Sequence, residues 1–184
     1  MTTMYTIFES PVGPLLLMSD GCSLTGLHTD SEKHRPAMRP DWIHDGDATP
    51  FAQVKDQMRA YFDGRLTDFD LPLAPQGSEF QLRVWRELRG IPYGETISYS
   101  ELARRIGNPN ASRAVGMANA HNPISIIVPC HRVIGADNSL TGYAGGLERK
   151  RMLLMLEAKH RGMGDEGRGA RGKSNKGQLA LGGM

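Results

Sequence analysis

Short apolar runs separated by turn residues fill the first thirty positions of the chain. Residues 5–10, 15–19 and 22–27 have strand-like composition, with Pro14 ahead of the second run and Gly21 ahead of the third. Runs of this length, joined by such turns, predict an antiparallel β-meander. The polar residues that follow predict a loop.

The first helical pattern begins near residue 50. Apolar residues recur there at helical spacing, which predicts a helix that Thr49 caps and in which Pro50 takes the first position. The predicted buried face consists of Phe51, Val54, Met58, Tyr61 and Phe62.

The second half of the chain has a helical rhythm throughout. Ser78 and Gln81 have the spacing of a capping box before the first of these helices, and Ser98 and Glu101 repeat it before the second. The second helix should end at Gly107, and a third should cover residues 111–120. Two short helices joined by a tight turn predict either a helix-turn-helix for nucleic acid or simply two packed helices.

These patterns predict an α+β protein with two domains and a tail. A strand-rich N-terminal domain covers residues 1–76, a helical domain covers residues 77–160, and residues 161–184 are predicted to be a disordered basic tail because 8 of those 24 residues are glycine. The first domain holds 11 acidic against 6 basic residues, and the second 11 basic against 7 acidic. This asymmetry suggests a polyanionic partner for the second domain, although scattered solvated charges explain it equally well.

Composition narrows the class of protein further. The sequence has no apolar stretch long enough to span a membrane and no secretory signal, so a soluble cytoplasmic protein is expected. Cys22 and Cys130 are the two cysteines. They form no disulfide framework, which is typical of a reducing compartment. Cys22 lies in a predicted strand and should be an inert core thiol.

The residues with chemical potential surround Cys130. An apolar, strand-like run over residues 124–128 leads to Pro129, Cys130, His131 and Arg132. A cysteine after such a run is commonly an inert core residue. The imidazole and guanidinium beside it, however, make an electropositive setting that lowers a thiol pKa and favours a thiolate nucleophile. A zinc pair is the weaker interpretation because suitably spaced ligands are absent.

The order of these motifs resembles one family, the O6-alkylguanine-DNA alkyltransferases. The likeness runs from about residue 80 to residue 157 and includes Arg113 to Gly116, Asn122 with Pro123, the cysteine motif, and Gly142 to Gly146. It implies an N-terminal domain like ribonuclease H and a winged helix-turn-helix C-terminal domain. It further implies irreversible transfer of an alkyl group from O6 of guanine, or O4 of thymine, to the protein's own cysteine, once per molecule.

The resemblance also assigns roles to individual residues. Cys130 is the acceptor, His131 draws its proton through a bridging water, and Glu157 orients that imidazole. Tyr99 crowds the 3′ phosphate and can donate a proton to the departing purine, while Asn122 ties the turn before the active-site strand. Taken alone, Glu157 would be read as a solvent-facing helix residue.

Recognition of DNA is assigned in the same way. The resemblance implies that a monomer binds double-stranded DNA through the minor groove and flips the alkylguanine out of the stack. It implies no cofactor, and we predict no metal and no membrane partner. Arg113 would fill the gap in the duplex, the carbonyls of Cys130 and Val133 would accept from the guanine amine, and the N–H of Ala144 would donate to O6. The remaining predicted contact residues are Ser112, Ala114, Tyr143, which walls the alkyl pocket, and Gly145.

Two other functions stay open from the sequence. A non-catalytic reader of alkylated DNA would share the fold but lack the reactive cysteine, so the presence of Cys130 argues against it. A sequence-specific regulator would need polar base-reading side chains at the start of its recognition helix, and residues 111–114 offer few.

Overall fold

The computed structural model describes residues 2–30 and 32–168, with side chains up to Arg161. Its N-terminal part combines one helix with a four-stranded sheet in the order β3-β2-β1-β4. The elements are β1 (Met4–Phe8), β2 (Leu15–Ser19), β3 (Leu24–Thr29), β4 (Ile43–His44) and α1 (Phe51–Phe62). Strands β1, β2 and β3 pair antiparallel, which confirms the predicted meander, and β4 pairs with β1 in parallel.

Helix α1 buries the predicted face but begins differently from the prediction. Phe51, Val54, Met58, Tyr61 and Phe62 are its buried residues. The predicted Thr49 cap is wrong, because Pro50 holds the N-cap position and no side chain caps the helix. The carbonyl of residue 49 instead accepts a 2.6 Å hydrogen bond from Ser19 Oγ, which ties this segment to β2.

The C-terminal part is mainly helical. Its elements are α2 (Glu79–Leu88), β5 (Ile97–Ser98), α3 (Tyr99–Arg105), α4 (Ser112–Ala120), a 3₁₀ turn (Cys130–Arg132), β6 (Val133–Ile134) and α5 (Leu147–Arg168). The predicted capping box of α2 is present in full, and the Ser98 side chain accepts from the Glu101 N–H at the start of α3. Helices α3 and α4 form the predicted helix-turn-helix, with the parallel pair β5–β6 beside it.

The segment before Cys130 is buried but is not a strand. Ile126 has φ of +72°, in the left-handed region that β-branched residues avoid. The chain therefore reverses there, and the Val128 N–H donates back to the Ile124 carbonyl at 3.0 Å. The predicted strand over residues 124–128 is thus replaced by a tight turn that bridges to β3 at Leu27.

Helix α5 continues past the predicted end of the second domain. It reaches Arg168, so the predicted disorder is wrong for residues 161–168. A packed helix extends readily because each added residue gains a backbone hydrogen bond, and Arg161 also bonds the Gly94 carbonyl and Glu95. The rest of the predicted tail, 169–184, lies outside the described residues. None of the helices in the described ranges is long and apolar enough to cross a membrane.

One hydrophobic core joins the two parts of the chain. Side chains from β2, β3 and α1 pack in the same cluster as those from α2, α3 and α4. Tyr61 on α1 and Leu153 on α5 are both fully buried in it. The shared core holds α1, the 3₁₀ turn and α5 together, and the candidate site lies where these three meet.

Candidate active site

Glu157 is the centre of a buried hydrogen-bond network. It lies on α5 and is fully buried. Its carboxylate accepts from Tyr61 Oη at 2.7 Å, from the Gly94 N–H at 3.0 Å, from His131 Nε2 at 2.8 Å and from Arg132 Nε at 3.0 Å. A buried carboxylate costs several kcal/mol unless its oxygens are satisfied, and these donors satisfy both of them.

The network decides the charge of Glu157. Burial by itself would raise the pKa of this carboxyl, but the hydrogen bonds and charges of His131 and Arg132 outweigh it and lower the pKa to about 2. Glu157 is therefore ionised at neutral pH. The family resemblance predicts that Glu157 lies beside His131, and the structure places it there.

His131 is a neutral base whose tautomer is set by Glu157. The imidazole is fully buried, and burial lowers its pKa despite the opposing effect of Glu157. Because an ionised carboxylate only accepts, Nε2 carries the proton and Nδ1 carries the lone pair. Among the residues whose side chains are described, none bonds to Nδ1.

Cys130 is held as a thiol rather than as a thiolate. It is 4% exposed, and burial raises its pKa to about 11, although a hydrogen bond with Asn122 acts in the opposite direction. The predicted lowering of the pKa is wrong because burial outweighs the neighbouring charges, and the guanidinium of Arg132 is paired with Glu157. A thiolate thus has to be formed by proton transfer when it is needed.

The turn before Cys130 is fixed by Asn122. Its Nδ2 donates to the Val128 carbonyl at 2.7 Å, and its Oδ1 accepts from the Ile124 N–H at 3.0 Å. These bonds close the turn that contains the left-handed Ile126, whose conformation costs on the order of 1–3 kcal/mol. Asn122 thus sets the position of Cys130 through the backbone.

Lys150 and Tyr99 anchor the loop between β6 and α5. Lys150 on α5 is fully buried, and its Nζ donates to the carbonyls of Val133 at 2.5 Å and Thr141 at 2.6 Å. Burial lowers its pKa to about 8. Tyr99 Oη donates to the carbonyls of Thr141 and Gly142, and the φ of +58° at Gly142 permits this close approach.

The residues predicted to contact the base lie in the 3₁₀ turn, in β6 and in the loop between β6 and α5. Tyr143 is half-buried, and desolvation raises the pKa of its hydroxyl well above the ordinary value. Ala144 is half-buried and Gly145 is buried. The Val133 carbonyl already accepts from Lys150, and the Cys130 carbonyl accepts from Asn119 Nδ2 at 3.3 Å. Each carbonyl keeps a second lone pair for another donor.

Helix α4 buries one side against the rest of the domain and exposes the other. Arg113 and Ala114 are exposed, and Ser112 is half-buried at the first position of the helix. No hydrogen bond or ion pair is formed by Arg113 with any part of the chain that the structure describes. The helix is held from behind by Trp85 Nε1, which donates to the Ala118 carbonyl at 2.8 Å.

Several residues of the site carry no sequence signal that identified them. The spacing of α1 predicts Tyr61 only as a core residue, and in the structure its hydroxyl also donates to Glu157. Arg132 bonds Glu157 and the Ile91 carbonyl. Lys150 and Asn119 were not singled out. The one signal for Lys150 in the sequence is that this lysine lies on the apolar face of α5.

The two cysteines have opposite environments, which predicts the order in which they react. Cys22 is exposed in the bend between β2 and β3, so the predicted core thiol is wrong: the turn that starts at Asp20 points it outward. At neutral pH we expect iodoacetamide to modify Cys22 at least about tenfold faster than Cys130, since the thiolate is the reactive form. Peptide mass mapping over time measures both, and faster modification of Cys130 would contradict the assignment of its pKa.

Comparisons with known proteins identify the family of the chain. The model of the 6-O-methylguanine DNA methyltransferase DNA-binding domain matches residues 79–159, and the model of the ribonuclease-like domain of the same methyltransferases matches residues 3–75. The chain therefore belongs to the 6-O-methylguanine DNA methyltransferase family. This also confirms the predicted fold class, a ribonuclease-like domain followed by a helical DNA-binding domain.

Individual relatives are similar over most of their length. The methylated-DNA–protein-cysteine methyltransferase of Mycobacterium tuberculosis strain H37Rv is 54% identical over 153 residues, which cover 83% of this chain and 91% of that protein. The corresponding methyltransferase of Haemophilus influenzae is 50% identical over 159 residues, 85% of this chain and 88% of the relative. The crystal structure of Mycobacterium tuberculosis OGT in complex with DNA has a TM-score of 0.79 at 52% identity, covering 85% of this chain and 94% of that chain.

Proposed function

We propose that this chain repairs DNA by moving an alkyl group from O6 of guanine to Sγ of Cys130, acting once per molecule. The observation that carries the proposal is the buried pair of His131 and Glu157 next to a buried cysteine. Nδ1 of His131, to which no described side chain bonds, supplies a base. Family membership and the DNA-bound relative support the choice of substrate.

The reaction needs one base and one leaving-group donor. His131 Nδ1 takes the proton from Cys130 through a water, and the resulting imidazolium is stabilised by the Glu157 carboxylate 2.8 Å from Nε2. The thiolate attacks the alkyl carbon, a C–S bond forms, and the C–O bond breaks with its electron pair passing to O6. The C–S bond of the resulting neutral thioether is not broken by the released guanine, because a thiolate is a poor leaving group from an unactivated thioether, so each molecule acts once.

Tyr99 is proposed to donate the proton that the departing guanine takes up. Its hydroxyl donates to the carbonyls of Thr141 and Gly142 at 3.2 and 3.1 Å. Both bonds are long, so the hydroxyl can exchange a loop carbonyl for the purine at modest cost. Burial raises the pKa of Tyr99, with a further contribution from Cys130, which keeps the hydroxyl protonated at rest.

The DNA is proposed to lie against α4, with the damaged base turned out into the pocket beside Cys130. Apart from Arg113 and Met117, the side chains on the exposed face of this helix are small. Its backbone can therefore approach the minor groove closely. Arg113 enters the stack where the base leaves, Ser112 and Ala114 lie along the backbone, and the protein acts as a monomer.

Stoichiometry tests the proposal. We incubate the protein with an excess of duplex carrying one labelled O6-methylguanine and count the methyl groups bound to protein. The expected plateau is one methyl per protein molecule. Continued turnover would refute single use, and tight binding without any transfer would indicate a reader of alkylated DNA.

The Arg113 assignment predicts a difference between substrates. In Arg113→Ala, transfer from duplex DNA should fall about 10- to 100-fold, because unstacking a base costs a few kcal/mol that the arginine offsets. Transfer from free O6-methylguanine should change less than about twofold. Single-turnover rates on both substrates measure this.

A matched arginine controls for charge in that experiment. Arg65 is exposed in the N-terminal domain and is paired with Asp63, so Arg65→Ala removes the same charge far from α4. Its rates should match the unmodified protein on both substrates. Equal losses of Arg113→Ala on duplex and free base would show that Arg113 does not act in base flipping.

A further inference from the structure

Glu32 is a buried carboxylate that the proposed reaction does not use. It follows β3 in the N-terminal domain and is 6% exposed. It accepts from the Thr29 N–H at 3.0 Å, lies 3.4 Å from His28 Nδ1, and accepts from Ser125 Oγ with both oxygens at 3.3 Å. Ser125 belongs to the other domain, so Glu32 connects the N-terminal domain to the turn before Cys130.

The same turn has further contacts with β3. The Leu27 N–H donates to the Pro123 carbonyl at 2.8 Å, and the Ser125 N–H donates to the Leu27 carbonyl at 2.9 Å. The turn also contains the left-handed Ile126. A strained turn persists only where its surroundings over-determine it, and Glu32 supplies the side-chain contact that these backbone bonds lack.

Residues on either side of Glu32 hold the loop between β6 and α5. The Lys33 N–H donates to the Ala144 carbonyl at 3.2 Å. Asp30 forms an ion pair with Arg149, whose guanidinium also donates to the Gly145 carbonyl. The N-terminal domain thus contacts the chain both before and after Cys130 within a few residues of Glu32.

We propose that Glu32 is a positioning residue of the acceptor site, which acts through Ser125 to hold the turn that places Cys130 for attack. This rests on the proposed function, since it names how the N-terminal domain serves the same site. Glu32 touches neither the alkyl group nor the reacting sulfur. Its effect is geometric, with an electrostatic consequence that can be measured separately.

The charge of Glu32 also affects the pKa values of Cys130 and Tyr143. Burial is the largest cause of the raised pKa of Cys130, and the Glu32 carboxylate raises it further, as it does for Tyr143. Lys150 acts in the opposite direction on Cys130, and Arg149 does so on Tyr143. Removing the negative charge therefore favours the Cys130 thiolate and moves its titration to lower pH.

Two variants separate the contact from the charge. Glu32→Gln removes the charge in a side chain of the same shape, whereas Ser125→Ala removes the contact and keeps the charge. Glu9→Gln, at an exposed site of the same domain, is the matched control. All are made in a Cys22→Ser background, so that iodoacetamide reports on Cys130 alone, and duplex affinity and thermal unfolding are measured for each.

Three results are expected. Ser125→Ala slows methyl transfer from duplex about tenfold or more with duplex affinity unchanged within about twofold, because small displacements of a nucleophile are costly. Glu32→Gln lowers the pH of half-maximal Cys130 alkylation by about half a unit or more. Ser125→Ala leaves that pH where it is in Glu9→Gln.

Unchanged transfer in Ser125→Ala would overturn the proposal, as would an unchanged alkylation profile in Glu32→Gln. Ser125→Ala also decides the matter if Glu32→Gln is too unstable to assay. The alkylation profile does not require methyl transfer. If the parent protein transfers no methyl group, the proposed function is refuted. The pH dependence of Cys130 alkylation can still be measured in that case, and it tests the effect of Glu32 independently.

Discussion

Replacing Cys130 with serine should abolish methyl transfer and leave duplex binding within about twofold. The serine hydroxyl fits the same nearly closed site, since Cys130 is 4% exposed. The serine hydroxyl, however, stays protonated at its ordinary pKa and is a far weaker nucleophile than a thiolate. A neutral imidazole also activates it poorly. We expect at least about a 10⁴-fold loss of the single-turnover rate. Labelled-methyl transfer and fluorescence anisotropy measure the two quantities.

Cys22→Ser is the matched control for that variant. Cys22 is exposed and lies in a bend of the N-terminal domain, so this change should leave transfer and binding at the level of the unmodified protein. Measurable methyl on Cys130→Ser, or loss of transfer in Cys22→Ser, would mean that Cys130 is not the acceptor.

Glu157→Gln should have the second largest effect, on both stability and transfer. The glutamine amide would turn a donor toward Tyr61, Gly94, His131 or Arg132, all of which donate to Glu157. It would also leave the Arg132 charge buried without a partner. Breaking a buried ion pair costs about 3–5 kcal/mol of unfolding free energy. Loss of the His131 tautomer should slow transfer about 10³-fold.

Two variants distinguish these effects. Glu148→Gln makes the same change on the exposed side of α5 and should alter stability by less than about 0.5 kcal/mol. Tyr61→Phe removes one neutral donor and keeps the carboxylate, so it should cost about 1 kcal/mol and change transfer less than about threefold. Urea unfolding and single-turnover rates, taken below the unfolding transition, measure both. A Glu157→Gln protein with full activity would refute the role of Glu157 as the residue that orients His131.

Local features of the fold could be predicted because their causes lie within a few residues. The capping box of Ser78 and Gln81 needs only one turn of chain, and the buried face of α1 needs only helical spacing. The predicted β-meander follows from short runs and tight turns in the same way. The strand predicted over residues 124–128 is wrong, because the left-handed conformation of Ile126 is imposed by the contacts of the turn with β3 and by Asn122.

The electrostatics of the site could not be predicted from neighbours in the sequence. Arg132 lies two positions from Cys130, yet its guanidinium bonds Glu157, which is 25 residues away. Burial then raises the pKa of Cys130 where adjacent charges suggested a lower one. Tyr61 and Glu157 are 96 residues apart, and only the common core of the two domains brings them together.

Mass spectrometry shows directly whether Cys130 keeps the alkyl group. The purified protein is incubated with an equimolar duplex containing one O6-methylguanine, and its intact mass and peptide masses are recorded. We expect a gain of one CH₂ unit per molecule, located on Cys130 as S-methylcysteine, with guanine left in the duplex. An unchanged mass, or a methyl group on any other residue, would contradict it.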